Sequence, residues 1–452
     1  MKSVNPATNA FIKDYPEHSE QEVVEILKKV NNRYQSWKQQ PFSNRSSLMH
    51  KTADLLRSKT EELARLMSVE MGKIIREARA EVEKCAWVCD YYADNAEHLL
   101  ADEPIETDAS NSFISFEPIG TILAVMPWNF PFWQVFRFAA PALMAGNTAV
   151  LKHASNVPGC ALAIEQIFSE AGFPDDTFRT LMIRASAVPM VIKDDRIKAV
   201  TLTGSEPAGK TVASLASENI KKSVLELGGS DPFIVLDDAD IPACIKTSAT
   251  ARMINTGQSC IAAKRFIVVQ SQLATFEKQQ TQIMAGMKVG DPLDEKSEAG
   301  PLARMDLVRE LNDQVQKSIE QGARVLTGGK PIDGDGAFYQ PTVLTDVRKG
   351  MPVYEQETFG PVSAIIPVKD AEEAVNVAND SRFGLGGSIW SRDIAQAIDV
   401  ARRIETGGVF INGMTKSDPR LPFGGIKKSG YGRELSYFGI REFVNIKTIW
   451  VA

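Results

Sequence analysis

The sequence predicts an α/β fold in which two parallel sheets with flanking helices follow a helical N-terminal section. Residues 20–100 are rich in Ala, Glu, Lys and Leu, and their apolar side chains recur at helical spacing. In residues 119–226, and again in 231–414, short apolar runs alternate with helical stretches. Such alternation is typical of parallel sheets with helices on both faces, and ligands in these sheets bind at the carboxyl ends of the strands.

The same patterns predict the individual elements. We expect two or three long helices before residue 100. The first alternating region predicts strands at 121–126, 149–151, 179–183 and 199–202, and helices at 133–144, 161–171 and 208–217. The second region predicts strands at 232–236, 266–269, 362–368, 387–390 and 409–412, and helices that include 241–255 and 305–321.

Two further strands, at residues 111–116 and 443–450, have no hairpin partner nearby in the sequence. Unpaired strand edges favour pairing with another chain, so we expect these segments to form an oligomer. The alternative is that they pair with each other inside one chain.

Composition excludes several classes of protein. The 452 residues are 44% hydrophobic and 24% charged, as in ordinary globular domains, and the net charge of −6 argues against a nucleic-acid partner. Prolines and Arg137 interrupt the most apolar stretch, residues 119–151, so we expect no membrane span, and no signal peptide is visible. Five scattered cysteines and four unclustered histidines predict neither a disulfide framework nor a metal site. We expect a cytoplasmic protein.

Three residues are candidates for catalysis. Cys260 follows a Thr-Gly pair at the end of a predicted helix, where exposed backbone N–H groups can lower a thiol pKa and stabilise an oxyanion. Glu226 lies between apolar residues and two glycines, where burial would raise its pKa toward that of a general base. Asn129, between two prolines, can donate a hydrogen bond to an oxyanion. Taken singly, each residue also has a structural interpretation: an inert buried thiol, an ion-paired carboxylate and a turn-forming amide.

Two further segments follow predicted strands and suit a dinucleotide. Gly204 and Ser205 lie between a strand and a helix, where helix N–H groups bind phosphate. Lys152 ends another strand, where a cation could meet ribose or phosphate.

The ordered set of motifs resembles the aldehyde dehydrogenase superfamily along essentially the whole chain. The motifs are Pro127-Trp128-Asn129, Lys152, Gly204-Ser205, Glu226-Leu227-Gly228-Gly229, Gly257-Gln258-Ser259-Cys260, Glu357-Thr358-Phe359-Gly360-Pro361 and Pro422-Phe423-Gly424-Gly425. The resemblance implies an aldehyde dehydrogenase-like α/β fold with a Rossmann-type cofactor domain, a second α/β catalytic domain and a strand-forming oligomerisation segment. It places the cofactor-binding domain at 1–110 and 118–226, the catalytic domain at 227–415, and the oligomerisation strands at 111–117 and 435–452. Residues 416–434 are expected to return to the cofactor domain and to form the substrate loop.

The resemblance also assigns roles to the residues. Cys260 matches the nucleophile, Glu226 the base that activates water, and Asn129 the side-chain half of the oxyanion hole. The residues that match cofactor-binding positions are Trp128, Asn129, Lys152, Ser155, Gly204, Ser205, Leu227, Glu357 and Phe359. No second cysteine stands two positions from Cys260, so we expect no disulfide switch there.

One departure from the family pattern bears on cofactor preference, and one closer match bears on substrate preference. Ser155 stands where relatives that prefer NAD usually carry Glu, so NADP is expected as the preferred cofactor, with NAD accepted. A helix-start hydroxyl is the alternative for Ser155. Trp133, Arg137 and Ser417 resemble the positions that hold the carboxylate in succinate-semialdehyde dehydrogenases, and Arg suits a planar carboxylate.

We therefore expect oxidation of succinate semialdehyde to succinate by a homodimer or homotetramer. Three alternatives stay open at this point: a glutarate-semialdehyde or broad-range enzyme, a coenzyme-A-acylating enzyme, and a non-catalytic protein on the same fold.

Overall fold

A computed structural model describes residues 1–452. The first of its three larger sheets has six strands. Five of them are parallel, and the edge strand Gly430–Tyr431 is antiparallel to its neighbour. In spatial order the strands are Gly430–Tyr431, Lys222–Glu226, Ile197–Thr203, Thr121–Met126, Thr148–His153 and Phe178–Thr180. The helices that connect them are Trp133–Met144, Pro158–Glu170, Ala185–Ala187 (a 3-10 turn), Val188–Lys193 and Glu206–Glu218.

Four helices precede this sheet, whereas the sequence pattern predicts two or three. They are Glu20–Trp37, Phe42–Ser58, Thr60–Met71 and Ile75–Leu99. Ser19 and Glu22 form a reciprocal cap at the start of the first helix, and Gly72 ends the third in the left-handed conformation at φ 83°. Helix Ile75–Leu99 packs against helix Trp133–Met144, which brings an N-terminal helix to the carboxyl edge of the sheet.

The second sheet has seven strands, and only its outermost strand, Arg324–Thr327, is antiparallel to its neighbour. In spatial order the strands are Arg324–Thr327, Thr342–Thr345, Val362–Val368, Ala263–Val269, Asp231–Val235, Gly386–Trp390 and Gly408–Ile411. Its helices are Ile241–Met253, Ile254–Gly257 (a 3-10 turn), Gln270–Gly286, Met305–Glu320, Pro352–Glu355, Ala371–Asn379 and Ile394–Arg403. Both faces of its central strands are buried, as covered parallel sheets require.

The third sheet corrects the expectation that the two isolated strands are unpaired. Val444–Val451 pairs with Asn111–Pro118 in an antiparallel register from Val444↔Pro118 to Val451↔Asn111, inside one chain. Glu103–Pro104 completes the sheet on the other side, and helix Ser436–Arg441 precedes the last strand. The outer edge of Val444–Val451 has no partner within the chain.

Two small antiparallel ladders complete the fold. They are Lys2–Val4 with Phe11–Asp14, and Phe383–Gly384 with Ile426–Lys427. No helix combines the length and the apolar character needed to cross a bilayer.

Local geometry corrects two predicted boundaries. The strand predicted at 179–183 ends at Thr180. The helix predicted to reach residue 255 ends at Met253, because Asn255 and Thr256 adopt left-handed φ values of 52° and 54°. An α-helix cannot continue through such residues. The chain therefore turns sharply just before Cys260.

Candidate active site

Two cavities meet at Cys260, where the carboxyl edge of the six-stranded sheet, followed by Asn129, faces the amino edge of the seven-stranded sheet, preceded by Cys260 and Glu357. The first, called the narrow cavity, has a volume of about 240 Å³. It is lined by Glu77, Ala80, Glu81, Lys84, Phe130, Trp133, Gln134, Arg137, Ile254, Ser259, Cys260, Ile261, Met414, Thr415, Lys416, Ser417 and Phe423. The second, called the wide cleft, has a volume of about 730 Å³. Its lining includes Trp128, Asn129, Thr203, Gly204, Ser205, Leu227, Gly228, Cys260, Arg304, Glu357 and Phe359. Cys260 belongs to both linings.

The loop that carries Cys260 is held rigidly. Gly257 has a φ of 77°, and a Cβ at this position would lie 2.2 Å from the Gly360 carbonyl oxygen, so only glycine fits there. The buried ammonium of Lys264 donates hydrogen bonds to the carbonyl oxygens of Ser259 (2.9 Å) and Cys260 (2.8 Å). The Thr-Gly pair before Cys260 is therefore a packed turn and not a flexible one.

The thiol pKa differs from the sequence expectation. Burial raises the pKa of Cys260 to about 12, although the positive charges of Arg137 and Lys264 act to lower it. The expected lowering is therefore wrong for the protein without ligands, in which the thiol is protonated at neutral pH. Formation of the thiolate requires a change in its surroundings or transfer of the proton to a base.

Asn129 lies beside this loop on the segment that follows strand Thr121–Met126. Its Nδ2 donates to the Gln258 carbonyl oxygen at 3.2 Å, two residues before Cys260. Asn255 Nδ2 donates to the Asn129 carbonyl oxygen at 2.7 Å and fixes the backbone. An amide nitrogen carries two N–H groups, so one remains to stabilise negative charge near Cys260.

Glu226 ends strand Lys222–Glu226 and is only 2% exposed. Both of its carboxylate oxygens lack a hydrogen-bond partner within the protein. Burial, and then the neighbouring carboxylate of Glu434, raise its pKa well above the usual value, while Arg137 and Arg433 oppose the shift. Glu226 lines neither the narrow cavity nor the wide cleft, but it is close enough for its charge to act to raise the pKa of Cys260.

Aromatic and acidic residues line the wide cleft near Cys260. The ring of Trp128 meets that of Phe359 edge to face, with centroids 5.7 Å apart. Glu357 accepts a hydrogen bond from the Gly229 N–H at 3.1 Å, and its pKa is raised by burial, against the effect of Lys264 at 3.6 Å. A carboxylate in this position can bind ribose hydroxyls.

The far part of the wide cleft fits a dinucleotide. Gly204 and Ser205 precede helix Glu206–Glu218, and the Ser205 side chain does not cap it, so free helix N–H groups lie at the cleft. A Cβ at Gly228 would lie 2.4 Å from Glu357 Oε2, and one at Gly209 would lie 2.6 Å from Leu227. Close backbone approaches therefore shape this part of the cleft, and its free helix N–H groups suit a phosphate.

Lys152, near the end of strand Thr148–His153, and Ser155, just after the strand, are not part of this lining. Lys152 is buried, and burial alone lowers its pKa, with no neighbouring carboxylate to oppose the shift. Ser155 is exposed in a turn, and Val157 is the residue that caps helix Pro158–Glu170, so the helix-start interpretation of Ser155 is wrong. Between them, His153 Nε2 donates to the Pro131 carbonyl oxygen at 2.8 Å and fixes the loop that carries Asn129.

The structure brings Trp133, Arg137 and Ser417 together in the lining of the narrow cavity. Trp133 and Arg137 lie one turn apart on helix Trp133–Met144. Arg137 forms a buried ion pair with Glu434, and its Nη2 donates to Thr203 Oγ1 at 3.3 Å. Its charge is therefore partly neutralised within the protein.

Sequence reasoning missed the contribution of helix Ile75–Leu99. Glu77, Glu81 and Lys84 project from this helix into the narrow cavity. Their spacing of four and three residues places them on one face, but no motif identifies which face meets the site. Sequence reasoning also missed Glu434. Its carboxylate pairs with Arg137 and raises the pKa of Glu226, but it is far from both residues in the sequence.

Comparisons with known proteins agree with this geometry. Residues 1–449 match the model of the aldehyde dehydrogenase family. The protein named "Probable succinate-semialdehyde dehydrogenase (NADP(+))" of Synechocystis sp. is 54% identical over 452 residues, with all of both chains covered. The succinate-semialdehyde dehydrogenase (NADP(+)) of Mycobacterium avium is 48% identical over 455 residues, with 100% of this chain and 96% of that one covered.

Among solved structures, a succinic semialdehyde dehydrogenase from Streptococcus pyogenes, in complex with NADP+ as the cofactor, has a TM-score of 0.98. It is 40% identical, and the match covers 100% of this chain and 99% of that one. The chain belongs to the aldehyde dehydrogenase family. The predicted fold class and the predicted enzyme class, an NAD(P)-dependent aldehyde dehydrogenase, are confirmed.

Proposed function

We propose that this chain oxidises succinate semialdehyde and water to succinate, with NADP as the preferred cofactor and NAD as a weaker alternative. The observation that carries this proposal is the place of Cys260 in the linings of both cavities. One sulfur atom can thereby meet an aldehyde in the narrow cavity and a nicotinamide in the wide cleft. The names of the Synechocystis and Streptococcus pyogenes relatives support the same substrate and cofactor.

In the proposed mechanism Cys260 is the nucleophile. Its thiol proton passes to solvent, and the thiolate sulfur attacks the aldehyde carbon, so that the carbonyl oxygen becomes the oxyanion of a thiohemiacetal. The free N–H of Asn129 and the backbone N–H of Cys260 stabilise the oxyanion, and the loss of one such donor typically costs about 2.7–4 kcal/mol of barrier. When bound, the nicotinamide supplies a hydride acceptor, and the acyl group then remains on Cys260 as a thioester.

Glu226 is the proposed base for hydrolysis. A raised pKa suits a group that takes a proton from water near neutral pH. Attack of the activated water on the thioester carbon releases succinate and returns the thiol.

Electrostatics support the choice of a carboxylated aldehyde. Trp133, Arg137 and Ser417 line the narrow cavity together with two lysines, Lys84 and Lys416. Cations and a hydroxyl in a small cavity favour an aldehyde with an anionic end over an aliphatic one.

The proposal of NADP depends on Lys152 and Ser155. Neither would repel a 2′-phosphate, and no neighbouring carboxylate acts on the Lys152 ammonium. Around the rest of the cleft, Glu357 would hold the nicotinamide ribose, with Trp128, Phe359 and Leu227 beside the ring and Gly204 and Ser205 at the pyrophosphate.

Steady-state reduction of NADP and NAD with succinate semialdehyde tests the proposal. We expect kcat/KM to be highest for succinate semialdehyde with NADP, lower for glutarate semialdehyde, and lower again for butanal. Cys260→Ala should abolish turnover, and coenzyme A should not accelerate it. A preference for butanal would contradict the proposed substrate, and inactivity of the wild type on every aldehyde would favour a non-catalytic role.

We also propose that the protein is a cytoplasmic homodimer or homotetramer. The strand Val444–Val451 has one free edge, and Ile446 and Trp450 on it are 62% and 52% exposed. A free strand edge with apolar side chains can pair with a second copy. The five unpaired cysteines suit a reducing compartment.

A further inference from the structure

Arg137, the cation that the sequence predicts as the carboxylate partner, is already engaged inside the protein. Its Nε pairs with Glu434, its Nη2 donates to Thr203 Oγ1, and its guanidinium carbon lies 4.6 Å from the centroid of the Phe423 ring. The guanidinium retains further N–H donors, but one carboxylate already balances its charge. A second anion would therefore gain less from Arg137 than from a free cation.

Lys84 is such a cation. It lies on helix Ile75–Leu99, is partly buried and lines the narrow cavity. Its Nζ donates to Ser417 Oγ at 2.7 Å and lies 4.3 Å from the centroid of the Trp133 ring. Both partners are uncharged. Burial, and then the positive charge of Arg137, lower the pKa of Lys84 to about 8, and an anion beside Nζ would oppose both effects.

The other charged groups of the narrow cavity are compensated or exposed. Glu81 pairs with Lys73 and accepts hydrogen bonds from the N–H groups of Phe132 (2.9 Å) and Trp133 (3.0 Å). Glu77 accepts from the Asn255 N–H at 2.8 Å, and burial raises its pKa to about 7. The remaining cation, Lys416, is exposed to solvent.

We infer that Lys84 binds the substrate's remote carboxylate and thereby sets the preference for carboxylated aldehydes, an inference that rests on the proposed function above. The ammonium uses one of its three N–H groups on Ser417 and keeps two. Ser417 Oγ accepts that bond, so its own hydrogen is free to donate to the same carboxylate. The face of Trp133 supports the ammonium from another side through a cation–π contact.

The test compares Lys84→Met with Lys51→Met, which removes an equal charge from an exposed position on helix Phe42–Ser58, outside both cavities. For Lys84→Met we expect the ratio of kcat/KM for succinate semialdehyde to that for butanal to fall about 10- to 100-fold, mainly through KM. Lys84→Arg should restore part of the ratio, because it keeps the charge. For Lys51→Met the ratio should change by less than about threefold, as for an exposed charge.

Calorimetric titration with succinate gives a second readout that needs no turnover. Wild-type protein and Lys51→Met should bind succinate, and Lys84→Met should bind it at least about tenfold more weakly. Lys84→Gln serves in both assays if the methionine variant does not fold.

Two failures can be told apart. A wild-type enzyme without preference for succinate semialdehyde over butanal would overturn the proposed function itself. A wild-type enzyme with that preference, whose Lys84 variants keep the ratio or lose both activities equally, would overturn only the role of Lys84.

Discussion

Arg137 and Glu434 form an ion pair between side chains that are 2% and 5% exposed, and 297 positions (434 − 137) separate them in the sequence. The pair joins helix Trp133–Met144 to the segment that returns from the seven-stranded sheet. It also lies next to Glu226, whose pKa Glu434 raises and Arg137 lowers. One pair therefore contributes to the packing of the two segments, the lining of the narrow cavity and the proton affinity of the proposed base.

Loss of the Glu434 charge should destabilise the protein. Glu434→Gln leaves the Arg137 guanidinium buried without its carboxylate, and removal of one partner of a buried pair typically costs about 3–5 kcal/mol. We expect a fall of that size in the free energy of unfolding, measured by urea titration. Lys317→Met, which breaks the exposed pair with Asp313, should cost less than about 1 kcal/mol. Equal losses in the two variants would contradict the structural role of the buried pair.

The pKa of Cys260 predicts how its alkylation depends on pH. Burial raises this pKa to about 12 in the protein without ligands, so the thiolate fraction at pH 7 to 9 is small and grows about tenfold per pH unit. The rate of modification by iodoacetamide, followed by mass spectrometry of the Cys260 peptide, should rise with that slope. The other four cysteines are buried and should react more slowly. A rate that is already independent of pH at 7 would show that the thiol is ionised.

Glu226→Gln separates the two halves of the proposed reaction. The amide cannot accept a proton from water, but Cys260 can still form the thioester. We expect a burst of reduced cofactor close to one equivalent per site in stopped-flow absorbance, followed by steady turnover slower by about 10²–10⁴-fold. Cys260→Ala should give no burst. Steady turnover by Glu226→Gln at the wild-type rate would remove Glu226 from the hydrolytic step.

Regular elements with clear boundaries could be predicted from the sequence alone. Strand Thr121–Met126 and helix Trp133–Met144 match their predicted bounds. An apolar run ends at a proline in the first, and mostly apolar residues continue through the second, although Pro141 lies inside the helix. The helix before Cys260 ends two residues early, since the left-handed turn at Asn255 and Thr256 depends on packing against other segments.

The composition of the narrow cavity could be predicted only in part. Motifs near Cys260 and Asn129 identify the reacting groups, but Lys84 and Ser417 are 333 positions apart and belong to no shared motif. Helical spacing groups Glu77, Glu81 and Lys84 on one face and leaves open what that face contacts. Only the packing of helix Ile75–Leu99 against helix Trp133–Met144 brings Lys84 to the site.

Cofactor preference can be tested at Ser155. A carboxylate in Ser155→Glu would repel the 2′-phosphate of NADP and can bind the ribose hydroxyls of NAD. We expect the ratio of kcat/KM for NADP to that for NAD to fall at least about tenfold. Ser217→Glu adds the same charge at another exposed serine, near the end of helix Glu206–Glu218, and should leave the ratio within about twofold. An unchanged ratio in Ser155→Glu would remove this position from cofactor selection.

The free edge of the three-stranded sheet makes a prediction about assembly. Strand Val444–Val451 pairs with Asn111–Pro118 on one side only, and Ile446 on it is 62% exposed. In the proposed oligomer this edge contacts a second copy, so Ile446→Asp would bury a charge there. Light scattering should give an oligomeric mass for the wild type and a smaller mass for Ile446→Asp at the same concentration. Ile220→Asp is the matched control, because Ile220 is 96% exposed and lies outside this sheet. Equal masses for wild type and Ile446→Asp would indicate that the subunits associate through another surface.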